Sequence, residues 1–157
     1  IVPGLAEIEA SAIRALDAEA GRVAYLVDGD DAGRAIQRRL RKAGVPDERI
    51  VMLRDDRGGI TPEDLIDLEV FRDAFNEELR RSFGAQVASI NKTDLPARVR
   101  TVAIRKWCEA NGVASPSRVS VALRILDGQP DRKLLDRKRA ALLKRVHGAL
   151  TRALGGP

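Results

Sequence analysis

The chain has 157 residues, enough for one good domain or two small ones, with 44% apolar but only 3% aromatic residues. Any core must therefore be built from Leu, Val, Ile and Ala. Lys and Arg number 28 against 23 acids, a net charge of +5, which permits a polyanionic partner without demanding one. The single cysteine, Cys108, excludes an internal disulfide and a cysteine-built zinc cluster and is expected to be a buried, inert thiol. No apolar run reaches the ~20 residues of a membrane span and nothing resembles a secretory signal, so the expectation is a cytoplasmic protein without a membrane partner. Charge is uneven along the chain. Sixteen of the 23 acids lie at or before Asp73, whereas 17 of the 28 basic residues lie after it. That asymmetry points to two modules with different jobs.

In chain order, "IVPG" reads as the tail of a strand. Residues 5–20 carry Leu5, Ile8, Ala12, Ile13 and Leu16 at helical spacing and end at Gly21, a helix-closing glycine. "RVAYLVD" is a continuous apolar run of strand length, expected to be buried on both faces. "DDAGRAIQRRLRKAG" predicts an amphipathic helix with Ala32, Ala35, Ile36, Leu40 and Ala43 inward, closed by Gly44. "IVMLR" predicts a second short strand, and "DDRGG" a flexible loop. Two apolar strands joined by one helix make a βαβ crossover and imply a parallel sheet. "TPEDLIDLEVFRDAFNEELRRSFG" opens with Thr61 as helix cap and Pro62 at the first helical position. Past Gly84 no strand pattern returns apart from a weak "QVASI", and helices are expected over residues 95–110, 117–126 and 131–154, each preceded by a breaker ("DLP", "NGVASPS", "DGQPD"). The predicted fold is thus α/β followed by an all-helical part, with a seam between residues 82 and 91.

The chemistry concentrates in "YLVDGDDAG". Asp28, Asp30 and Asp31 crowd behind a buried strand, a repulsive arrangement unless something positive compensates it. In an open parallel sheet, ligands bind outside the carboxyl ends of the strands. Carboxylates gathered there with no His or Cys suit a hard cation such as Mg2+ or Mn2+, for which Asp28 and Asp30 are the candidate ligands. Asp31 alone is expected to cap the following helix, while Gly29 and Gly33 would let the backbone approach a ligand. An EF-hand starting at Asp28 fails, since it would place ligands at Ala32 and Arg39. A haloacid-dehalogenase-type pair is weakened by "DAG" where Thr or Val is usual.

"LVDGDDAGRAIQRRL" resembles the Asp-x-Asp segment of TOPRIM domains, the metal-binding fold of bacterial primases, topoisomerases and the OLD (overcoming lysogenization defect) family of nucleases. The resemblance covers roughly residues 1–70. Primases tend to continue with "DP(D/N)", whereas "TPEDLIDLEVF" is similar to OLD-type nucleases. It implies a partial TOPRIM domain (Rossmann-like, parallel sheet) over residues 1–82 and a helical domain over 83–157. The family pattern begins with a glutamate behind an earlier strand. No such unit is present, Glu7 and Glu9 falling on the first helix, so the chain is read as a fragment.

The resemblance implies a divalent-metal-dependent DNA endonuclease working with two ions about 4 Å apart. Asp28 and Asp30 would anchor the metals, Glu63 and Asp64 would complete the second site, and Lys92, with Lys106 in reserve, would offset charge at the scissile phosphate. The alternative for Glu63 and Asp64 is a pair of first-turn acids favoured by the helix dipole. DNA would be held through phosphates by basic residues of the helical half, Arg100 among them, with Arg98, Arg105 and Lys106 foremost. An ATPase domain, in the parent chain or a partner protein, is the other implied partner. The rival readings are a primase or topoisomerase TOPRIM fragment, and a non-catalytic α/β assembly module. His147, the only histidine, has no evident partner and is given no role. Trp107 and Phe71 are expected to fill core space.

Overall fold

The computed structural model describes residues 9–19, 23–128 and 133–155. Leu5, Ile8, Glu7, Gly21 and the opening "IVPG" lie outside the described residues. The protein mixes helices with a small parallel sheet. It divides into two compact units, residues 1–60 with 141–157, and residues 61–140. That division differs from a seam near residue 82, because the long helix placed in the first domain by sequence belongs to the second unit.

In the first unit, helix α1 (Ala10–Glu19) is followed by strand β1 (Tyr25–Val27), helix α2 (Asp31–Lys42) and strand β2 (Ile50–Met52). β1 and β2 run parallel, with Tyr25 opposite Ile50, Leu26 opposite Val51 and Val27 opposite Met52. The expected crossover is present. Tyr25 and Val27 are buried with Ile13, Leu40, Ala43, Val45 and Ile50 in one cluster. Leu40 is wholly enclosed, which contributes about 1.5–3 kcal/mol. Leu26, however, is 45% exposed. β1 is therefore covered on one side only, and the expectation of burial on both faces fails. Ala32 and Ala35 are exposed as well, leaving Ile36, Leu40 and Ala43 as the inward face of α2. "DDRGG" is ordered: β3 (Arg54–Asp55) and β4 (Gly58–Gly59) form a tight antiparallel hairpin. Helix α6 (Ala140–Ala153) comes last and belongs to this unit from Ala141 onward.

In the second unit, the stretch expected as one helix from Thr61 is broken. A 3-10 turn at Pro62–Leu65 ends at Ile66, and helix α3 (Leu68–Phe83) begins afresh. Asp67 caps it, its carboxylate accepting the N–H groups of Glu69 and Val70 at 3.0 and 3.2 Å. Helix α4 (Arg100–Ala110) starts five residues later than the sequence pattern indicates, after a 3-10 turn at Lys92–Asp94. Helix α5 (Arg118–Asp127) matches its expected limits, and the Ser117 side chain caps it. The last helix starts at Ala140 rather than 131, preceded by a turn at Arg137–Arg139.

The second core comprises Val70, Phe71, Ala74, Phe75 and Leu79 of α3 with Ile104, Cys108, Val121 and Ile125. Phe71 and Phe75 stack with centroids 6.2 Å apart, and Trp107 packs against the cluster, so both predicted core aromatics fill space. Buried Asn76 exchanges two hydrogen bonds with the backbone of Ile90 at 2.8 and 3.0 Å, pinning the segment after α3. Cys108 is buried, and that burial pushes its thiol pKa up, keeping the unreactive neutral form.

Candidate functional site

The Asp28-Gly29-Asp30 segment leaves the carboxyl end of β1 and is held from several sides by backbone bonds. The Val27 carbonyl accepts from Leu53 N–H at 2.8 Å, Gly29 N–H donates to the Ile60 carbonyl at 2.8 Å, and Ile60 N–H to Leu53 at 3.1 Å. Glycines make this crossing possible. A Cβ on Gly29 would collide with the Leu53 carbonyl and the Gly59 backbone, and one on Gly33 with the Asp28 carbonyl. Their smallness therefore serves the close approach of the protein's own backbone segments.

The side chains divide the work in an order the sequence did not indicate. Asp30, not Asp31, caps α2: its Oδ1 accepts Gly33 N–H at 2.8 Å. Asp31 is the first helical residue, exposed, and ion-paired with Arg34. Arg34 also donates to the Gly29 carbonyl at 3.0 Å. Part of the positive charge that offsets this acidic turn is thus internal, supplied by Arg34 and the amino end of α2. The i,i+3 spacing of Asp31 and Arg34 was a legible signal for that pairing. Asp28 is half-buried at the strand end, and Asp30 Oδ2 accepts no hydrogen bond from the described residues.

Glu63 and Asp64 lie in the second unit and have different surroundings. Asp64 is completely buried. Its Oδ2 accepts Thr61 N–H at 3.0 Å and Val99 N–H at 2.9 Å, and its Oδ1 accepts Arg100 N–H at 3.1 Å. Both oxygens are committed to joining the 3-10 turn to the start of α4. Glu63 is mostly buried; its Oε1 lies 3.5 Å from Arg118 Nε, while Oε2 has no hydrogen-bond partner. Of the two, only Glu63 keeps an oxygen free for a ligand.

Arg100, expected on a DNA-binding surface, is instead 1% exposed. Its guanidinium donates to the carbonyls of Glu63 at 2.8 Å and Ile66 at 2.7 Å and lies 5.8 Å from the centre of the Phe71 ring. Burial lowers its pKa, and the charge of Asp64 opposes that shift. Beside it, Val99 has φ 58°, a left-handed conformation that costs a β-branched residue on the order of 1–3 kcal/mol. Substituting Val99→Gly is expected to stabilise the protein by up to about 1 kcal/mol, read as a higher thermal midpoint. An unchanged or lower midpoint would show the strain to be relieved elsewhere.

Lys92 is exposed and pairs with Glu69 at 2.8 Å, so its ammonium is partly neutralised. Arg105 and Lys106 are exposed on α4, and Arg98 is half-buried. Lys106 has no acidic partner among the described residues, which makes it the freer of the two lysines. His147 is exposed on α6. Among the described residues, no group of three or more His, Cys, Asp or Glu side chains is gathered closely enough to hold a metal unaided. No described helix is long and apolar enough to cross a membrane. Comparison with known proteins gives no match to any family model, curated protein or solved structure.

Proposed function

We propose that the chain contributes the acidic edge of a divalent-metal-dependent DNA endonuclease of TOPRIM, OLD-like type. The observation that supports this reading best is the place of Asp28 and Asp30 at the carboxyl end of β1 in a parallel βαβ crossover, where such sheets bind ligands. The donor set fits a hard cation. Asp30 Oδ2 accepts no hydrogen bond from the described residues, Asp28 is adjacent, and Mg2+ commonly takes one or two carboxylates and completes its shell with waters and substrate phosphates. When bound, the ion would supply a polarised phosphate and an activated water. The protein's own residues hold the two carboxylates still, through the backbone bonds around Gly29 and the Arg34 contacts. Within the second unit, exposed Arg105 and Lys106 offer phosphate contacts, and Glu63 keeps one carboxylate oxygen without a hydrogen bond from the described residues. Asp64 is left out of the ligand set, because its oxygens already serve backbone N–H groups.

A second reading, a non-catalytic assembly module, is favoured by one observation: Arg34 and the Asp30 cap already offset the acidic turn from within. Two variants separate the readings. Asp30→Ser keeps a good helix cap but removes the carboxylate, and Asp28→Ala removes the other acid. The endonuclease reading expects Mn2+ binding by calorimetry in the wild type and its loss in both variants, with thermal midpoints little changed for Asp30→Ser. Metal-dependent nicking of supercoiled plasmid should fall about a hundredfold or more in Asp28→Ala, the effect typical of losing a charge-stabilising group. Absence of Mn2+ binding in the wild type, or equal nicking by wild type and Asp28→Ala, would favour the assembly module.

A further inference from the structure

Helix α2 carries a row of positive charge along its outer side. Its sequence, "DAGRAIQRRLRK", holds five Arg or Lys and a single acid, Asp31. Gly33 and Leu40 are buried, with Ile36 packed beside Leu40. At 3.6 residues per turn, Arg38 and Lys42 fall on the side opposite Leu40 and Arg34 and Arg41 lie next to them, all four within an arc of about 100°. All four are exposed.

Acids answer only part of this charge. Arg34 pairs with Asp31 and Arg41 with Asp47, whereas Arg38 and Lys42 have no ion-pair partner among the described residues. Cations suit the last turn of a helix, which accounts for Arg41 and Lys42 but not for Arg38 further back. Arg34, Arg38 and Lys42 also follow one another four residues apart, the spacing at which like charges repel. A polyanion laid along α2 offsets that repulsion.

The composition of the row selects among polyanions. Three of its four residues are Arg, whose planar fork bonds phosphate oxygens in pairs. The exposed residues of α2 include no large apolar side chain, only Ala32 and Ala35. A helix lying on a membrane instead presents Leu, Phe or Trp to the acyl boundary, and the apolar side of α2 is already packed in the core. The helix is about 18 Å long and duplex DNA carries one phosphate charge per ~1.7 Å, so several phosphates come within reach together. At its amino end stands the Asp30 cap, so a duplex held along α2 continues to the acidic turn.

We propose that Arg34, Arg38, Arg41 and Lys42 bind the phosphate backbone of duplex DNA and lead it to Asp28 and Asp30. The choice of DNA as the polyanion rests on the endonuclease reading.

Binding of a fluorescently labelled duplex, followed by anisotropy in EDTA over a range of salt, tests the contact without metal or cleavage. Arg38→Gln/Lys42→Gln keeps good helix formers at exposed positions, so its thermal midpoint should hold. It should bind at least about tenfold more weakly at roughly 0.1 M salt, and the slope of log K against log salt should flatten by about 1 to 2, the share of two phosphate contacts. Arg80→Gln/Arg81→Gln removes the same charge from exposed positions on α3 and should bind within about twofold of the wild type, salt screening a change in distant charge. An equal loss in both double variants reduces the effect to net charge and overturns the proposal. So does unchanged binding in Arg38→Gln/Lys42→Gln, or a wild type that binds no DNA at low salt. Binding to phosphatidylserine vesicles as tight as to DNA overturns the choice of partner. Mn2+ calorimetry separates the two readings, because the acidic turn is intact in Arg38→Gln/Lys42→Gln and its Mn2+ binding should match the wild type. A wild type that takes up DNA through this row yet binds no Mn2+ sinks the endonuclease reading and leaves the contact standing.

Discussion

Replacing Asp64 by alanine is expected to destabilise the protein by about 3–5 kcal/mol, the cost of removing one member of a buried charged network. The carboxylate is fully enclosed and accepts three backbone N–H groups, those of Thr61, Val99 and Arg100. Without it those donors have no acceptor in a dry setting, at about 1–3 kcal/mol each if nothing relaxes. The nearby Arg100 charge also loses its compensating anion. Asp64→Asn should be less severe, because its amide oxygen can still accept, yet its NH2 would face at least one N–H donor. Urea denaturation followed by circular dichroism measures both. The ligand role implied by the family resemblance leads to the opposite pattern, an unaltered fold with weakened metal binding. A cost below about 1 kcal/mol for Asp64→Ala would show the carboxylate to be dispensable for folding.

The second large effect is expected at Gly33. An alanine there would put its Cβ into the Asp28 carbonyl, well inside van der Waals contact with backbone that cannot swing away. Helix propensity alone favours Ala over Gly by about 1 kcal/mol, so an ordinary helical glycine would gain from the change. Here the overlap should outweigh that gain and give a net loss of about 1–3 kcal/mol, the usual cost of overpacking. Because the strain falls on the Asp28 peptide, the proposed metal-binding role of Asp28 leads to a decline in Mn2+ affinity along with stability. A Gly33→Ala variant as stable as the wild type would mean that β1 and α2 are not so tightly joined.

The parts legible in the sequence were those with a local cause. β1 and β2 are short apolar runs, and α2 alternates basic and apolar residues at helical spacing, so the crossover could be placed. α5 could be delimited because Ser117 gives a cap and Gly128 a stop. The hairpin at residues 54–59 was hidden because its strands are two residues long and contain no alternating pattern. The break at Ile66 was masked by Thr61-Pro62, a true start signal that here opens only a 3-10 turn. The better cue was Asp67 just before Leu68 and Glu69, a second cap within six residues.

The role of Asp64 could not be read locally, since two of its donors lie 35 and 36 residues further along the chain. Arg100 was assigned to the surface because arginines usually belong there. Only tertiary packing shows it threaded among the carbonyls of Glu63 and Ile66. The acidic turn itself was found from sequence, but the distribution of duties among its three aspartates required the geometry of the α2 amino terminus.

One consequence follows from the order in which the two units are written along the chain. The second is a single uninterrupted stretch, residues 61–140, whereas the first draws on both 1–60 and 141–157. On the ribosome the later-numbered unit has all its parts before the earlier one does, so it is free to fold first. Until α6 emerges the first unit lacks its last helix, although the cluster around Leu40 draws only on residues before Leu53, and during that interval the nascent chain is open to misassembly.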